Sequence, residues 1–350
     1  MFNNFSDKFP DVSVIMAVFN GEAYLRETID SILAQTYKDF EFVIVNDAST
    51  DNTRDIILSY SDERIKLFDN PENIGLASTL NRCLEEAKGK WIVRTDADDY
   101  HELDRIELQV KYAEENNLDI CFCDIKNILP DGTGYVVSYS SRPWAKIRWL
   151  SLFSGNYGAH SSVCFKYSAI LEEGGYNGSI RAAEDYDLWE RCSSKGLKFG
   201  YLPKVLVYYR INEEGLSNTM KGYLREKADI ISLRAMRRVW PELDENTANS
   251  LRWLLQTIYT PKADRSHEAG FKACKELIDR FCSHYKLTNT EKRIVWAESG
   301  ASMHIRFILV STWRDRIGVI KLLFQSIIHA RSKYCFPIKR IIKWCFKRFK

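Results

Sequence analysis

The stretch Trp91-Ile92-Val93-Arg94-Thr95-Asp96-Ala97-Asp98-Asp99-Tyr100 carries a short apolar strand straight into three carboxylates within four positions. Like charges that close repel one another and lose hydration, so such a cluster at a strand end calls for a cation. Side chains alternate along an extended segment, which lets Asp96 and Asp98 point the same way while Asp99 faces elsewhere. The residues alone leave two readings open. One is a hard divalent ion, Mn2+ or Mg2+, carrying a phosphate-bearing substrate; the other is a solvated Asp-rich turn capping the next helix.

Upstream of this stretch, strands and helices alternate. Val12 to Phe19 is a continuous apolar run suited to a strand covered on both faces, and it ends at Asn20-Gly21. Leu25, Ile29, Ile32 and Leu33 then recur at helical spacing and lay an apolar stripe onto a sheet. Phe40 to Val45 repeats the strand and ends at Asn46-Asp47, a helix carries Ile56, Ile57 and Tyr60, and Ile65 to Phe68 is a third strand. Asn70 to Gly75 reads as a loop, and Leu76, Leu80, Cys83, Leu84 and Ala87 as a helix stopped by Gly89. This alternation predicts right-handed crossovers and an α/β fold with a mostly parallel sheet flanked by helices. Ligands of such sheets bind outside the carboxyl ends of the strands, so Phe19-Asn20-Gly21, Asn46-Asp47 and Asp96-x-Asp98 are expected at one crevice. No G-x-G-x-x-G follows the first strand and no P-loop occurs, which leaves diphosphate recognition to a metal.

Downstream, Leu103, Ile106 and Val110 give a helix and Leu118 to Cys123 a strand. Asp131-Gly132 is a turn, with Tyr135 to Tyr139 as the second arm of a hairpin. Trp144 to Phe153 reads as a helix ahead of the glycine-rich loop Gly155 to Ser161, which holds His160. Glu184-Asp185 opens a further helix, and Val205 to Tyr209 is a strand ending at Arg210. From about Met220 the pattern is helical, with stripes through Leu251, Trp253, Leu254, Leu255 and Ile258 and through Phe271, Cys274, Leu277 and Phe281.

Of 350 residues 45% are hydrophobic and 28% charged, an ordinary globular composition. Nine scattered cysteines without zinc-type pairing point to reduced, mostly buried thiols in a cytoplasmic protein. The first residues show no signal-peptide pattern, and no run of about 18 uncharged apolar residues predicts a spanning helix. Ile305 to Ile328 is apolar but broken by Arg306, Arg314, Asp315, Arg316 and Lys321. The last twenty residues carry eight bases and no acid among Tyr334, Phe336, Trp344 and Phe346. Such a tail fits a helix lying on an anionic membrane surface, with contact to a partner or a homo-oligomer, or a solubilising role, as alternatives. The rest of the chain is net acidic and lacks a nucleic-acid motif, so no nucleic acid is expected as partner.

Val14 to Asn20, Ser31 to Tyr37, Val45-Asn46-Asp47-Ala48-Ser49-Thr50-Asp51, Asn70 to Gly75 and Thr95 to Asp99 together resemble the family 2 glycosyltransferases, in the family's order and spacing, over roughly residues 10 to 215. The resemblance implies a GT-A fold, a nucleotide-diphospho-sugar donor and a divalent ion. It places Ala17 and Phe19 at the base, Asp47 as acceptor from the base, Asp96 by the ribose and shared with the metal, and Asp98 on the metal. Glu22, Ala97, His160 and Arg210 join the nucleotide-sugar site in the same reading, and Asp185, beside Glu184, becomes the catalytic base. From the residues alone, Asp47 is equally a helix cap, His160 a surface histidine, Glu184-Asp185 a pair favoured at a helix start, and Arg210 a surface ion pair. Where the family commonly has Pro-x-Arg, this chain has Leu103-Asp104-Arg105, and Asn212 stands where an imidazole is expected.

The implied activity is an inverting transfer of a hexose or N-acetylhexosamine from a UDP-sugar to a lipid-linked glycan of surface polysaccharide synthesis, on the inner face of the cell membrane. A carboxylate base opposite a metal-bound diphosphate leaving group supports single displacement. A sugar nucleotidyltransferase and a silent nucleotide-sugar-binding scaffold are the alternatives. The expected layout is a catalytic domain over 1–219, with a nucleotide half to about residue 100, a helical extension over 220–304 and the basic tail over 305–350.

Overall fold

The computed structural model describes residues 9–139, 143–153, 157–212, 215–255 and 268–309. The strands are β1 (Val12–Val18), β2 (Phe40–Asn46), β3 (Ile65–Asp69), β4 (Trp91–Arg94), β5 (Tyr100–His101), β6 (Ile120–Ile128), β7 (Gly134–Val137), β8 (Val163–Lys166) and β9 (Phe199–Arg210). Helices α1 (Leu25–Leu33), α2 (Thr53–Leu58), α3 (Leu76–Glu86), α4 (Arg105–Glu115), α5 (Trp144–Ser151), α6 (Tyr167–Glu172) and α7 (Glu184–Lys195) alternate with them. Helices α8 (Leu216–Thr219), α9 (Lys221–Val239), α10 (Glu245–Leu255), α11 (Glu268–His284) and α12 (Asn289–Leu309) follow.

The described residues divide into two compact units. The first, up to residue 139 and from 157 to 227, is built on a nine-stranded sheet of order β3-β2-β1-β4-β8-β6-β9-β5, with β7 paired to β6. β1 to β4, β6 and β9 run one way, while β5, β7 and β8 run against them. The strand runs expected to be covered on both faces are so covered: β2 is buried along its whole length and β1 almost so. Val12 of β1 pairs with Phe40 on one side and Trp91 on the other, which brings the carboxyl ends of β1, β2 and β4 to one edge. The chain leaves β1 and β2 through left-handed residues, Asn20 (φ 51°) and Ala48 (φ 59°), so both strands turn sharply there. The expected hairpin forms between β6 and β7.

The second unit comprises 143–153 and the described residues from 228 onward. This differs from the expected boundary after residue 219, and it moves α5 out of the catalytic domain. The reason lies in α5 and the residues after it: Trp149 packs edge-on against Phe153 and Phe281, each at 5.1 Å, within a core that also holds Met236, Leu251, Leu277 and Trp296. Rings of that size need a large apolar surround, and these helices provide it. Among the described residues no helix is long and apolar enough to cross a membrane, and seven cysteines are free and buried. The expectations for Gly155, Asn156, Ile258, the N-terminal residues and the basic tail beyond 309 lie outside the described residues, as do those for the Trp253 and Phe271 side chains.

Candidate active site

The Asp run rests on a buried polar base. Arg105 is fully buried: one guanidinium nitrogen donates to Arg94 O at 2.9 Å, another lies 2.9 Å from His101 Nδ1, and Nε donates to Gln109 Oε1. His101 Nε2 in turn lies 2.7 Å from Thr95 Oγ1, and Gln109 Nε2 donates to Cys121 O and Ser162 O. The strand end is thus held from below by groups that satisfy one another where water cannot reach. From the side, Thr28 of α1 donates its hydroxyl to Asp99 O at 2.7 Å.

Asp99 does not cap the following helix. Its carboxyl is buried and accepts from Arg210 N at 2.9 Å, and burial with the neighbouring charges of Asp96 and Asp98 holds it well above the usual carboxylate range. Asp96 and Asp98 face a cavity of about 430 Å³ whose lining also includes His160, Glu184, Asp185 and Arg210. Six of the residues singled out in the sequence therefore meet at one place.

Within it the two outer carboxylates differ. Arg94, 2% exposed, grips both oxygens of Asp96 at 2.5 Å. Asp98 has no ion-pair partner among the described residues, and burial followed by the charge of Asp96 pushes it up to about 6. Arg210, at the end of β9, donates from Nε to Asp98 O at 2.9 Å and from Nη2 to Glu27 at 2.7 Å, and lies 4.1 Å over the Tyr24 ring. The surface ion pair is present, yet the same guanidinium lines the cavity.

Ala183, at φ 72° and ψ 22°, holds a left-handed conformation immediately before α7 and aims Glu184 and Asp185 into the cavity. Burial pushes Glu184 up to about 7; burial and then the charge of Glu184 push Asp185 up to about 6. Asp185 Oδ1 accepts from Tyr186 N at 2.7 Å. His160 is no surface histidine: its side chain is 9% exposed, and burial followed by the Arg94 charge pushes it down to about 3.

Asp47 lies outside this cavity lining and is not a cap for α2, whose Thr53 N goes to Asp51 Oδ1 instead. Its buried carboxylate accepts from Asn70 Nδ2 at 2.6 Å and from Ile74 N and Gly75 N at 3.0 Å, which shapes the loop ahead of α3. Glu22 is exposed and accepts from Asn52 N and Nδ2. Phe19 is 50% exposed, and Ala17, Phe19, Glu22 and Ala97 are absent from the cavity lining. Arg94 and Tyr209 line it without having been expected there. A charged residue closing an apolar strand was the available signal for Arg94.

Among the described residues no three His, Cys, Asp or Glu side chains converge as a metal cage. The donor set is one free carboxylate, Asp98, and one already paired, Asp96. That suits Mg2+ or Mn2+, which take one or two carboxylates and complete their shell with phosphate oxygens and water.

Comparison with known proteins places the sequence and the fold. The family model described as glycosyl transferase family 2 matches residues 13–173. An uncharacterized glycosyltransferase of Methanocaldococcus jannaschii is 35% identical over 209 residues, covering 58% of this chain and 71% of that protein. The UDP-Glc:alpha-D-GlcNAc-diphosphoundecaprenol beta-1,3-glucosyltransferase WfaP of Escherichia coli is 31% identical over 236 residues, covering 65% and 89%. The crystal structure of S. aureus TarS 1-349 in complex with UDP-GlcNAc superposes with a TM-score of 0.57 at 16% identity, over 84% of this chain and 88% of that one, and shares the fold. With sequence and fold in agreement, the chain belongs to glycosyltransferase family 2 and has the GT-A fold.

Proposed function

We propose that the chain is a metal-dependent, inverting hexosyltransferase that moves a hexose or N-acetylhexosamine from a UDP-sugar to a lipid-linked glycan acceptor during surface polysaccharide synthesis. One observation carries this reading: a single cavity is lined by Asp98, suited to a metal-bound diphosphate, and by Asp185, suited to a hydroxyl nucleophile. The name of the WfaP relative, which specifies a UDP-sugar and a lipid-diphosphate acceptor, supports the donor and acceptor classes.

In this reading Asp98, with Asp96, would hold the divalent ion, which would supply positive charge to the departing diphosphate. Asp185 takes the proton from the acceptor hydroxyl as that oxygen attacks the anomeric carbon, and a carboxylate so placed contributes on the order of 10²- to 10⁴-fold. Attack opposite the diphosphate inverts the anomeric centre, so an α-linked donor gives a β-glycoside. Arg210 faces the diphosphate, and Tyr209 closes the same wall. Asp47 uses three of its acceptor positions on the 70–75 loop and keeps one for the imide N–H of uracil, with Ala17 and Phe19 beside the base.

The test is a thermal-shift screen of nucleotide-sugars with and without Mn2+, followed by transfer assays on lipid-linked acceptor extracts. Stabilisation by UDP-sugars that requires metal, with transfer lost in Asp185→Asn, is the expected result. Metal-independent binding, or transfer retained in that variant, overturns it. Tight donor binding without transfer to any acceptor favours a scaffold instead.

A further inference from the structure

Behind Glu184 lies a run of contacts that no motif in the sequence reveals. Asn81 on α3 grips the backbone of Tyr176 at two points: its Nδ2 donates to Tyr176 O and its Oδ1 accepts from Tyr176 N, both at 2.8 Å. Gly175 precedes it at φ 70°, and a Cβ there would lie 2.7 Å from Asn81 Oδ1, so the grip needs glycine at that position. The Tyr176 side chain is 2% exposed, and its hydroxyl lies 2.9 Å from His160 Nε2. On the other side of the imidazole, Nδ1 lies 3.4 Å from Glu184 Oε1, and the ring meets Trp189 edge-on at 6.0 Å.

Proton counting restricts how these groups can fit together. Above neutral pH, where Glu184 is ionised, its carboxylate only accepts, so the nitrogen facing it carries the N–H. A neutral imidazole has one N–H, so Nε2 is then a lone pair and Tyr176 must donate. The reverse tautomer would aim a lone pair at a carboxylate and leave the phenol hydrogen without a partner. The other charges near Glu184 are Asp185, adjacent in the chain, and Arg94 and Asp96, which are paired with each other.

We infer that Tyr176 and His160 are positioning residues for the transfer reaction: the Tyr176 hydroxyl fixes His160 as its Nδ1–H tautomer, and that N–H holds the Glu184 carboxylate beside Asp185 to receive a hydroxyl of the bound sugar. This rests on Asp185 being the base, as proposed above. The arrangement is the one used around metal-bound and catalytic imidazoles, where the partner on one nitrogen dictates what the other can do. It gives α3, which carries no catalytic group, a part in orienting the acid-base end of the cavity.

Side-chain 15N NMR of the full chain tests it, well above neutral pH, with the His160 signals assigned by their loss in His160→Gln. The wild type is expected to show a protonated Nδ1 and a lone-pair Nε2. Tyr176→Phe, which keeps the ring, is expected to move His160 toward the Nε2–H form and to lower kcat on the order of tenfold, with KM for the donor nucleotide unchanged. A wild-type His160 found in the Nε2–H form overturns the inference, whatever the variant does. So does a Tyr176→Phe enzyme with lower Tm and kcat but an unchanged tautomer, since that marks packing alone. If the wild type transfers no sugar, the function proposal fails, while the wild-type tautomer still decides this one.

Discussion

Arg94 neutralises Asp96 through both carboxylate oxygens at 2.5 Å, two residues before an Asp98 that has no such counterion among the described residues. The two aspartates of the D-x-D are therefore expected to respond differently to the same change. Asp96→Asn leaves a buried guanidinium without its charge partner and should cost on the order of 2–4 kcal/mol in chemical denaturation. Asp98→Asn relieves crowding, should leave stability unchanged or slightly raised, and should abolish the Mn2+-dependent thermal shift by UDP. Equal losses of stability in both variants would contradict the distinction.

Asp185→Asn should reduce transfer on the order of 10²- to 10⁴-fold while donor binding persists. Because burial pushes Asp185 up to about 6 and a base must be ionised, kcat/KM in the wild type should fall as pH drops below about 6. A pH–rate profile flat to the ordinary carboxylate range would show that another group accepts the proton.

Glu184 predicts an inverted pH dependence of stability. Its carboxyl is pushed from 4.5 up to about 7 by burial, so between those values the folded chain binds this proton and the unfolded chain does not. Stability thus declines as pH rises through that window. Glu184→Gln should be more stable than wild type at alkaline pH by roughly 1–3 kcal/mol, with the advantage vanishing in acid. Urea melts across pH decide it, and a constant difference would rule out the titration.

Ala183→Gly should relieve the left-handed strain and, after the entropy that glycine adds to the unfolded chain, stabilise by about 0.5–1 kcal/mol. The same freedom should lower kcat severalfold, because Glu184 and Asp185 would no longer be held at one angle. A melt and a transfer assay on the same preparation test the trade; a gain in both would show that the strain has no catalytic part.

For the basic tail, a chain ending at Leu309 should lose co-sedimentation with anionic vesicles but not with neutral ones, as an electrostatic surface helix requires. Unchanged partitioning would redirect attention to a protein partner.

Much of the first unit could be read directly from the sequence, because strands covered on both faces leave unbroken apolar runs such as Val12 to Val18 and Phe40 to Val45. Alternation also placed Asp96 and Asp98 on one side and Asp99 on the other. What escaped notice depends on distant partners. From the residues alone Asp47 is as much a helix cap as a ligand, because its donors, Asn70 and the amides of Ile74 and Gly75, lie over twenty positions on. His160 reaches the site only through the resemblance, since nothing local foretells that Tyr176 and Glu184 enclose it. Arg94 carries no reading from the sequence beyond closing an apolar strand, yet it is buried in the cavity wall. Segment 143–153 read as part of the catalytic domain because sequence proximity says nothing about which core a tryptophan will join.

That last segment governs how the protein can be recombined with its relatives. The helical unit is not a cassette joined at one seam, since the chain visits it once around residue 149 and returns to it after 227. Cutting at Lys227 would strand Trp149, Leu152 and Phe153, each now 1% exposed, as an orphaned apolar face inviting aggregation. A working chimera should therefore exchange 143–153 together with everything beyond 228, so that each parent's rings stay with the helices that evolved around them.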